Sequence, residues 1–414
     1  MKKLSSLSAS VVALAGALVF GATPMVASAQ SKEALTFAGA TFAESGRGEK
    51  LKAWIEKFNK SQGAIEVQPV ALPFSTLAKT VFTQMGGGAG PDLIRFDLID
   101  YYAAVQAQRI LAIDDAIKET DYKFSGPNKY MKVDGKRYGV PFEISNYALL
   151  YNPRLLKGGK PPANFDEFLA SAKASSGNGV FGYAYRATMA ESAGFWQDLC
   201  NFVYGFDGRW SDGKGNLTIN SPKVVEGVTA YKKMYDASAT PKGADAATYR
   251  RMFWERKLAM EIDNGGVAGI FNQQAPDLPL AAAPSPFPTR AQGLILAPIT
   301  VNANTKHKAA ALTFVKWMLQ PENQRELQSI LGAASVATVV ERTPEELRQK
   351  PWFKVYDEQS LHSVPQLVQG FEAKTPEIQQ VVLEQVLQVL QGGAEPQKAM
   401  DEAQRLVTAR VLRK

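Results

Sequence analysis

Cysteine and histidine are nearly missing from this sequence: among 414 residues there is one cysteine, Cys200, and there are two histidines, His307 and His362. A single thiol rules out any disulfide within the chain, so stability has to come from buried apolar surface. Two imidazoles and one thiol are also too few for the usual nitrogen- and sulfur-ligated metal site. No metal and no other cofactor is expected. Cys200 follows Trp196 and Leu199 in an apolar stretch, the setting of a buried, inert thiol.

Catalytic signatures are equally scarce. No Gly-x-Ser-x-Gly elbow marks a nucleophile, and no pair of carboxylates stands out as the facing acids of a glycosidase. A Ser-His-Asp triad leaves no local trace, since its members are distant in sequence. Asp114-Asp115 follows the apolar Ile110, Leu111 and Ile113, where a helix cap explains it. The run Gly86-Gly87-Gly88 lacks the Lys-Ser or Lys-Thr of a phosphate loop and precedes a strand, so it reads as a helix stop. No catalytic residue is assigned, and the chain is expected not to be an enzyme.

Long apolar runs are missing too. The segment from Val11 to Phe20 is about 10 residues, short of the roughly 20 that a membrane-spanning helix needs. Lys2 and Lys3 precede it and Ala27-Ser28-Ala29 follows, so residues 1–29 read as a signal peptide cleaved near Ala29. No cysteine follows the apolar core to carry a lipid. The mature chain is therefore expected in the periplasm, not membrane-embedded and monomeric. The formal charge of +7 falls to +5 once Lys2 and Lys3 leave. Basic residues are scattered, with no run longer than Arg250-Arg251 or Lys232-Lys233. A nucleic-acid partner would need them clustered on one face, so none is expected.

What the sequence does have is alternating helix and strand signals over the roughly 385 mature residues, enough for two lobes of α/β architecture. Leu35 to Ala38 reads as a strand. Leu51, Trp54, Ile55 and Phe58 then recur at helical spacing. A strand from Ile65 to Val70, a helix from Ser75 to Met85 and a strand from Leu93 to Phe96 complete a β-α-β-α-β run, the pattern of a parallel sheet. Ser221-Pro222, Thr343-Pro344 and Thr375-Pro376 look like helix starts. Glu346 with Thr343, and Glu167 with Asn164, make capping boxes. Ala275 to Pro288 reads as a long irregular connection. Ile378 to Leu390 and Pro396 to Leu412 read as closing helices.

Aromatic residues stand beside polar ones in several predicted loops: Phe42 with Glu44, Phe96 with Asp97, Phe142 with Glu143, Tyr185 with Arg186, Phe195 with Trp196, and Trp210 with Asp212. An apolar platform next to fixed hydrogen-bonding groups suits a polyhydroxylated ligand.

In order along the chain, several segments resemble family 1 extracellular solute-binding proteins, the maltose-binding-protein-like group that serves sugar importers of the ABC type. They are Phe58-Asn59-Lys60, Gly88 to Ile94, Gly135 to Phe142, Leu150-Tyr151-Asn152-Pro153, Pro162 to Phe168, Lys257 to Ile262, and Lys308 to Gln324. The resemblance implies a two-lobe periplasmic binding protein of type II, with discontinuous lobes and a multi-strand hinge. Residues 30–144 and 264–320 would form lobe I, and residues 145–263 and 321–414 lobe II. A solute would bind in the cleft between them and close the hinge, and the partner would be an ABC permease.

By the same resemblance the ligand contacts are Thr41, Phe42 and Glu44 after the first strand, Asp97 after the third, Glu143 at the first crossing, and Tyr185 and Arg186 in the second lobe. Trp196, Asn264, Gly265 and Gln292 complete the candidate set. At the second return, Asn264-Gly265-Gly266-Val267 stands where the family often has Gly-Pro-Trp with a stacking indole. The stretch Ala291 to Ile295 likewise departs from a Gly-Gly-Trp type. A carbohydrate-type ligand is the main expectation, small rather than a long maltodextrin. A non-sugar or anionic solute such as glycerol phosphate or a polyol is the alternative, with Arg186 and Arg290 as anion partners or else as plain surface residues. A secreted glycan hydrolase is the competing reading from another class.

Overall fold

The computed structural model describes residues 32–237, 241–332 and 335–413, so the expected signal peptide lies outside the described residues. The β-α-β-α-β run is present: β1 (Glu33–Gly39), α1 (Gly48–Ser61), β2 (Ile65–Ala71), α2 (Phe74–Gly86) and β3 (Leu93–Arg95). β1 pairs in parallel with β2 on one side and β3 on the other. α1 packs on this sheet because Leu51, Trp54, Ile55 and Phe58 fall on one face and are at most 2% exposed. Burying each such side chain is worth about 1.5–3 kcal/mol. α2 ends at the glycine run as expected, with Gly88 at a φ of +78°, the left-handed region that glycine enters without strain.

α3 (Leu98–Gln106) follows β3, and a small ribbon of β4 (Lys132–Val133) and β5 (Lys136–Arg137) leads into β6 (Gly139–Tyr151). Asp114 does not cap a helix. Its carboxylate accepts the backbone N–H of Arg137 at 2.9 and 3.0 Å and so anchors this ribbon. β6 is buried almost end to end, as a strand covered on both faces must be. Its first half pairs antiparallel with β10 (Gln292–Val301), and its second half with β8 (Leu258–Asn264) and β9 (Ala281–Ala283). The full order is β2-β1-β3-β10-β6-β8-β7, with β7 (Phe181–Ala184) parallel to β8 and β11 (Ser363–Pro365) beside β10.

Buried side chains gather on the two halves of this sheet. The first group joins β1–β3, α1–α3, α9 (Lys308–Met318) and α10 (Pro321–Leu331). The second joins β7 and β8 with α4 (Phe165–Ala174), α5 (Ser192–Gly205), α6 (Pro222–Asp236), α7 (Ala246–Trp254) and α8 (Gly265–Gln274). Late helices return to that second group: α12 (Trp352–Ser360), α13 (Thr375–Gln391) and α14 (Pro396–Val407), after the short α11 (Pro344–Gln349).

Two expected crossing points move. The chain does not rejoin the first group at Asn264, because Val267, Ala268 and Phe271 of α8 bury against Phe253 and Leu150 in the second. The return comes within β10, where Leu294 and Leu296 join the first group. Nor does the chain leave at Gln320: Leu327, Leu331, Val336 and Ala337 still pack with Leu51 and Trp54. Periodicity marks where helices lie but carries no signal for which core an apolar face meets.

The capping box on α11 forms as expected between Thr343 and Glu346, and Asn164 accepts the Glu167 N–H at 3.0 Å. Ser221 makes no side-chain cap bond. Thr375 accepts the N–H of Val368 at 3.0 Å, tying α13 to the preceding loop.

Candidate functional site

A cavity of about 410 Å³ opens between the two groups. It lies where the loops leave the carboxyl ends of β1, β2, β3, β7 and β8, the end at which open α/β sheets bind ligands. Several helices start on its rim, among them α3, α7 and α8. Asp97 stands at the N-cap of α3. Asp245 caps α7 by accepting the Thr248 N–H at 2.8 Å, and Asn264 caps α8 by accepting the Gly266 N–H at 3.1 Å.

The first wall is a linked set of charges. Glu143 emerges from β6 beside the irregularity that shifts its register with β10 at Ala297/Pro298. One of its oxygens accepts from Arg47 at 3.0 Å and the other from Arg95 at 2.6 Å. Arg47 also bonds Glu44 through Nε at 2.7 Å and the Leu331 carbonyl at 3.1 Å, and Arg95 lies 3.5 Å from Asp97. Burial alone would push the Glu143 carboxyl up, but Arg47 and Arg95 outweigh it and hold its pKa below the ordinary range. Burial likewise opposes the Arg47 charge, and Glu44 and Glu143 more than compensate. Asp97 goes the other way: burial, reinforced by Glu143 and Glu44 against Arg95, raises its pKa. Asp100, one turn along α3, is pushed up to about 7 by burial and then by Asp97.

The second wall carries separate pairs. Arg186 follows β7 and meets Asp198 of α5, through Nη2 at 2.6 Å, Nε at 2.9 Å and its own backbone N–H at 2.7 Å. Gly194 makes room for that guanidinium, since a Cβ there would come within 2.5 Å of the arginine side chain. Arg250 of α7 meets Asp263 of β8 at 2.8 and 3.2 Å. Burial raises the pKa of Glu191 on this wall, against the pull of Arg186. Contacts also cross between the walls: Gln197 reaches Asp97 at 3.5 Å, and Gln274 donates to the Ser45 hydroxyl at 2.8 Å.

Five of the predicted residues line the cavity: Glu44, Asp97, Glu143, Arg186 and Asn264. Six do not. Phe42 packs edge-on against Phe37, 5.0 Å between centroids, in the first core. Thr41 is buried beside it. Tyr185 lies against Tyr231 and bonds its carbonyl at 3.3 Å. Trp196 stacks on Trp210 at 4.7 Å and donates to the Gln366 carbonyl at 3.0 Å. Gln292 is fully buried and accepts from Ser285 at 3.0 Å, and Gly265 packs against Tyr356 and Gly332. Arg290 is exposed and lies outside the cavity.

Among the lining residues that sequence reasoning missed are Arg47, Arg95, Asp245 and Arg250 and two aromatic residues, Phe74 at the start of α2 and Trp254 at the end of α7. Both rings are only partly buried. They line the cavity from opposite walls, whereas Val267 is fully buried in the core. Asp245 could have been found as an N-cap and Arg47 as a charge beside Glu44, but nothing in the sequence aims either at a cleft. His307 pairs with Glu33 at 2.6 Å at the start of α9, away from the cavity, and His362 is exposed. Cys200 is fully buried under Trp210 with its thiol pushed up to about 12 by burial. Among the described residues no cluster of His, Cys, Asp or Glu could hold a metal ion, and no helix is long and apolar enough to cross a membrane.

Residues 43–325 match the family model described as bacterial extracellular solute-binding protein. A binding protein of Brucella abortus (strain 2308) is 25% identical over 289 residues, 64% of this chain and 67% of that protein. Among solved structures, an ABC transporter solute-binding protein from Thermotoga lettingae, bound with α-D-tagatose, superposes with a TM-score of 0.82 at 19% identity, covering 91% of this chain and 99% of that one. UgpB of Mycobacterium tuberculosis, in complex with glycerophosphocholine, gives 0.78 at 18% identity, covering 92% and 99%. The fold they share with this chain is the two-lobe type II binding-protein fold.

Proposed function

Because the chain belongs to the bacterial extracellular solute-binding protein family, we propose that it is the exported solute-receiving component of an ABC importer for a small, neutral, polyhydroxylated ligand, a sugar or a polyol. The two core groups act as lobes that close on the solute by bending at β6, β10 and the segment after Ala337, and the closed monomer docks on a membrane permease. A ligand shifts that equilibrium only by its greater affinity for the closed form.

One observation carries the ligand class. All four arginines lining the cavity, Arg47, Arg95, Arg186 and Arg250, are already bonded to carboxylates. With Glu44, Asp97, Glu143, Glu191 and Asp245 also on the walls, no surplus positive charge is left for an anion. Cross-linked arginines and carboxylates instead offer fixed donors and acceptors, which suits hydroxyl groups that both give and take hydrogen bonds. Phe74 and Trp254 supply apolar faces for the C–H side of such a ligand. The volume sits near the lower end of the ~300–1,000 Å³ typical of ligand pockets, which favours a short ligand.

A glycerol-phosphate-type solute is the second reading. It is favoured by Arg95, whose buried Nε has no acceptor among the described residues. A thermal-shift screen of neutral sugars and polyols against their phosphate esters separates the two. At about 100 times its dissociation constant a ligand should stabilise the fold by roughly 2.7 kcal/mol. A shift with the esters alone would overturn the neutral-ligand reading. Release of products from oligosaccharides would overturn the binding reading in favour of a hydrolase.

A further inference from the structure

Gly266 sits in the first turn of α8, and its backbone does not need to be glycine. It is absent from the positions with positive φ, and glycine is a poor helix former. The reason for it is space. A Cβ at this position would lie 2.4 Å from Nη1 of Arg47 and 2.6 Å from the carbonyl oxygen of Leu331, at the end of α10. By contrast a Cβ on Gly269, three residues along the same helix, would meet nothing within 4 Å.

The two sides of this contact belong to different core groups. Arg47 is 6% exposed and held by Glu44, by Glu143 at 3.0 Å and by the Leu331 carbonyl at 3.1 Å, all from the first group. α8 packs in the second. Gly332 follows α10 in the left-handed conformation at φ +60°, and a Cβ there would come within 3.2 Å of the Gly266 Cα. The first turn of α8 therefore seats directly on the end of α10, with the Arg47 guanidinium filling the rest of the gap.

We infer that Gly266 is a positioning residue of the cleft: lacking a side chain, it lets the lobes close onto Arg47 and leaves that guanidinium in place in the cavity wall. This rests on the proposed hinge closure. A guanidinium has five N–H groups. Nε serves Glu44, Nη1 serves Glu143 and Leu331, and Nη2 serves Glu44, which leaves one Nη2 hydrogen for a solute. The group that binds there is thus an acceptor such as a hydroxyl or ring oxygen. Any side chain at 266 would either hold the lobes apart or displace that donor.

The test compares Gly266→Ala with Gly269→Ala in the full mature chain. Spin labels on the exposed Lys79 of α2 and Arg251 of α7, as Lys79→Cys and Arg251→Cys, report the distance across the cleft without needing any ligand. Gly266→Ala should deplete the short-distance population, and Gly269→Ala should leave it unchanged. Calorimetry with D-tagatose, ribitol and glycerophosphocholine adds a second readout. The ligand that binds wild type should bind Gly266→Ala about tenfold or more weakly, the scale of overpacking against backbone. The ligand-free melting temperatures of the two variants should agree. Arg47→Gln combined with Gly266→Ala should be no worse than the poorer single variant, because both act through one guanidinium. Equal distance distributions in Gly266→Ala and wild type would overturn the inference. If neither D-tagatose nor ribitol binds wild type while glycerophosphocholine does, the neutral ligand class proposed above fails, and the spin-label result still decides the role of Gly266.

Discussion

The two walls of the cleft use the same residue types and connect them differently. On the first wall Glu143 gives one oxygen to Arg47 and the other to Arg95, and these reach on to Glu44 and Asp97. Loops leaving β1 and β3 are thereby tied to β6 through one carboxylate. On the second wall Arg186 and Arg250 each have their own acid, Asp198 and Asp263. Losing one member of a network strands several partners, whereas losing one member of a pair strands one.

The largest effect is expected from Glu143→Gln. It leaves two guanidiniums, 6% and 8% exposed, each short of an anionic partner, and breaking a buried pair typically removes about 3–5 kcal/mol. Denaturant unfolding should show a loss in that range, together with loss of ligand binding. A loss below about 1 kcal/mol would mean the arginines find other acceptors and the wall is no network. Asp198→Asn and Asp263→Asn each strand one guanidinium and should each cost less than Glu143→Gln, toward the lower end of the same range of about 3–5 kcal/mol. If either exceeds Glu143→Gln, the contrast between the walls is wrong.

These arginines show where sequence reading stops. The parallel βαβ run, its helices and the glycine stop were legible because amphipathic periodicity and turn chemistry are local. Glu44, Asp97, Glu143, Arg186 and Asn264, which line the cavity, were named through motif resemblance, since four of them follow or end a strand and Glu143 lies within β6, strands whose position the pattern fixes. Thr41, Tyr185, Trp196 and Gln292 lie in the core and not along the cavity; an aromatic or polar residue near a strand end looks the same in sequence whether it faces a cleft or a core. Trp196 and Tyr185 point inward onto Trp210 and Tyr231. The rings that do face the cavity, Phe74 and Trp254, come from the first turn of α2 and the last of α7, where no local signal distinguishes them.

Those rings give a third prediction, smaller again and confined to binding. Phe74→Ala and Trp254→Ala remove partly exposed side chains at the ends of helices. Ligand-free stability should change little, while affinity should fall by about 1–2 kcal/mol for each ring that stacks on the ligand. Isothermal titration with the ligand found by screening checks both. If only Trp254→Ala weakens binding, the solute lies against the second wall and the two-sided platform is wrong.

The smallest effect, and the one of opposite sign, is expected at Glu261. It is 4% exposed beneath the second wall, and one oxygen has no partner among the described residues. Burial first, and the neighbouring Asp263 second, raise its pKa well above the ordinary carboxylate value, while Arg250 and Arg186 oppose. A carboxyl with a raised folded pKa holds its proton after the unfolded chain has released it. Its contribution to stability is therefore present below about pH 4 and declines as pH rises toward the folded pKa. Asp100 behaves alike, with its decline ending near its folded value of about 7. Glu143 and Asp263 have lowered values, so their contributions are lost in acid instead. Neutral Glu261→Gln removes a group that resists ionisation, and at pH 7 it should be as stable as wild type or slightly more so. Asp100→Asn should flatten the fall in melting temperature between about pH 4 and 7. A clear destabilisation by Glu261→Gln at pH 7 would mean that Glu261 is ionised and bound to an arginine. The second wall would then be a network like the first.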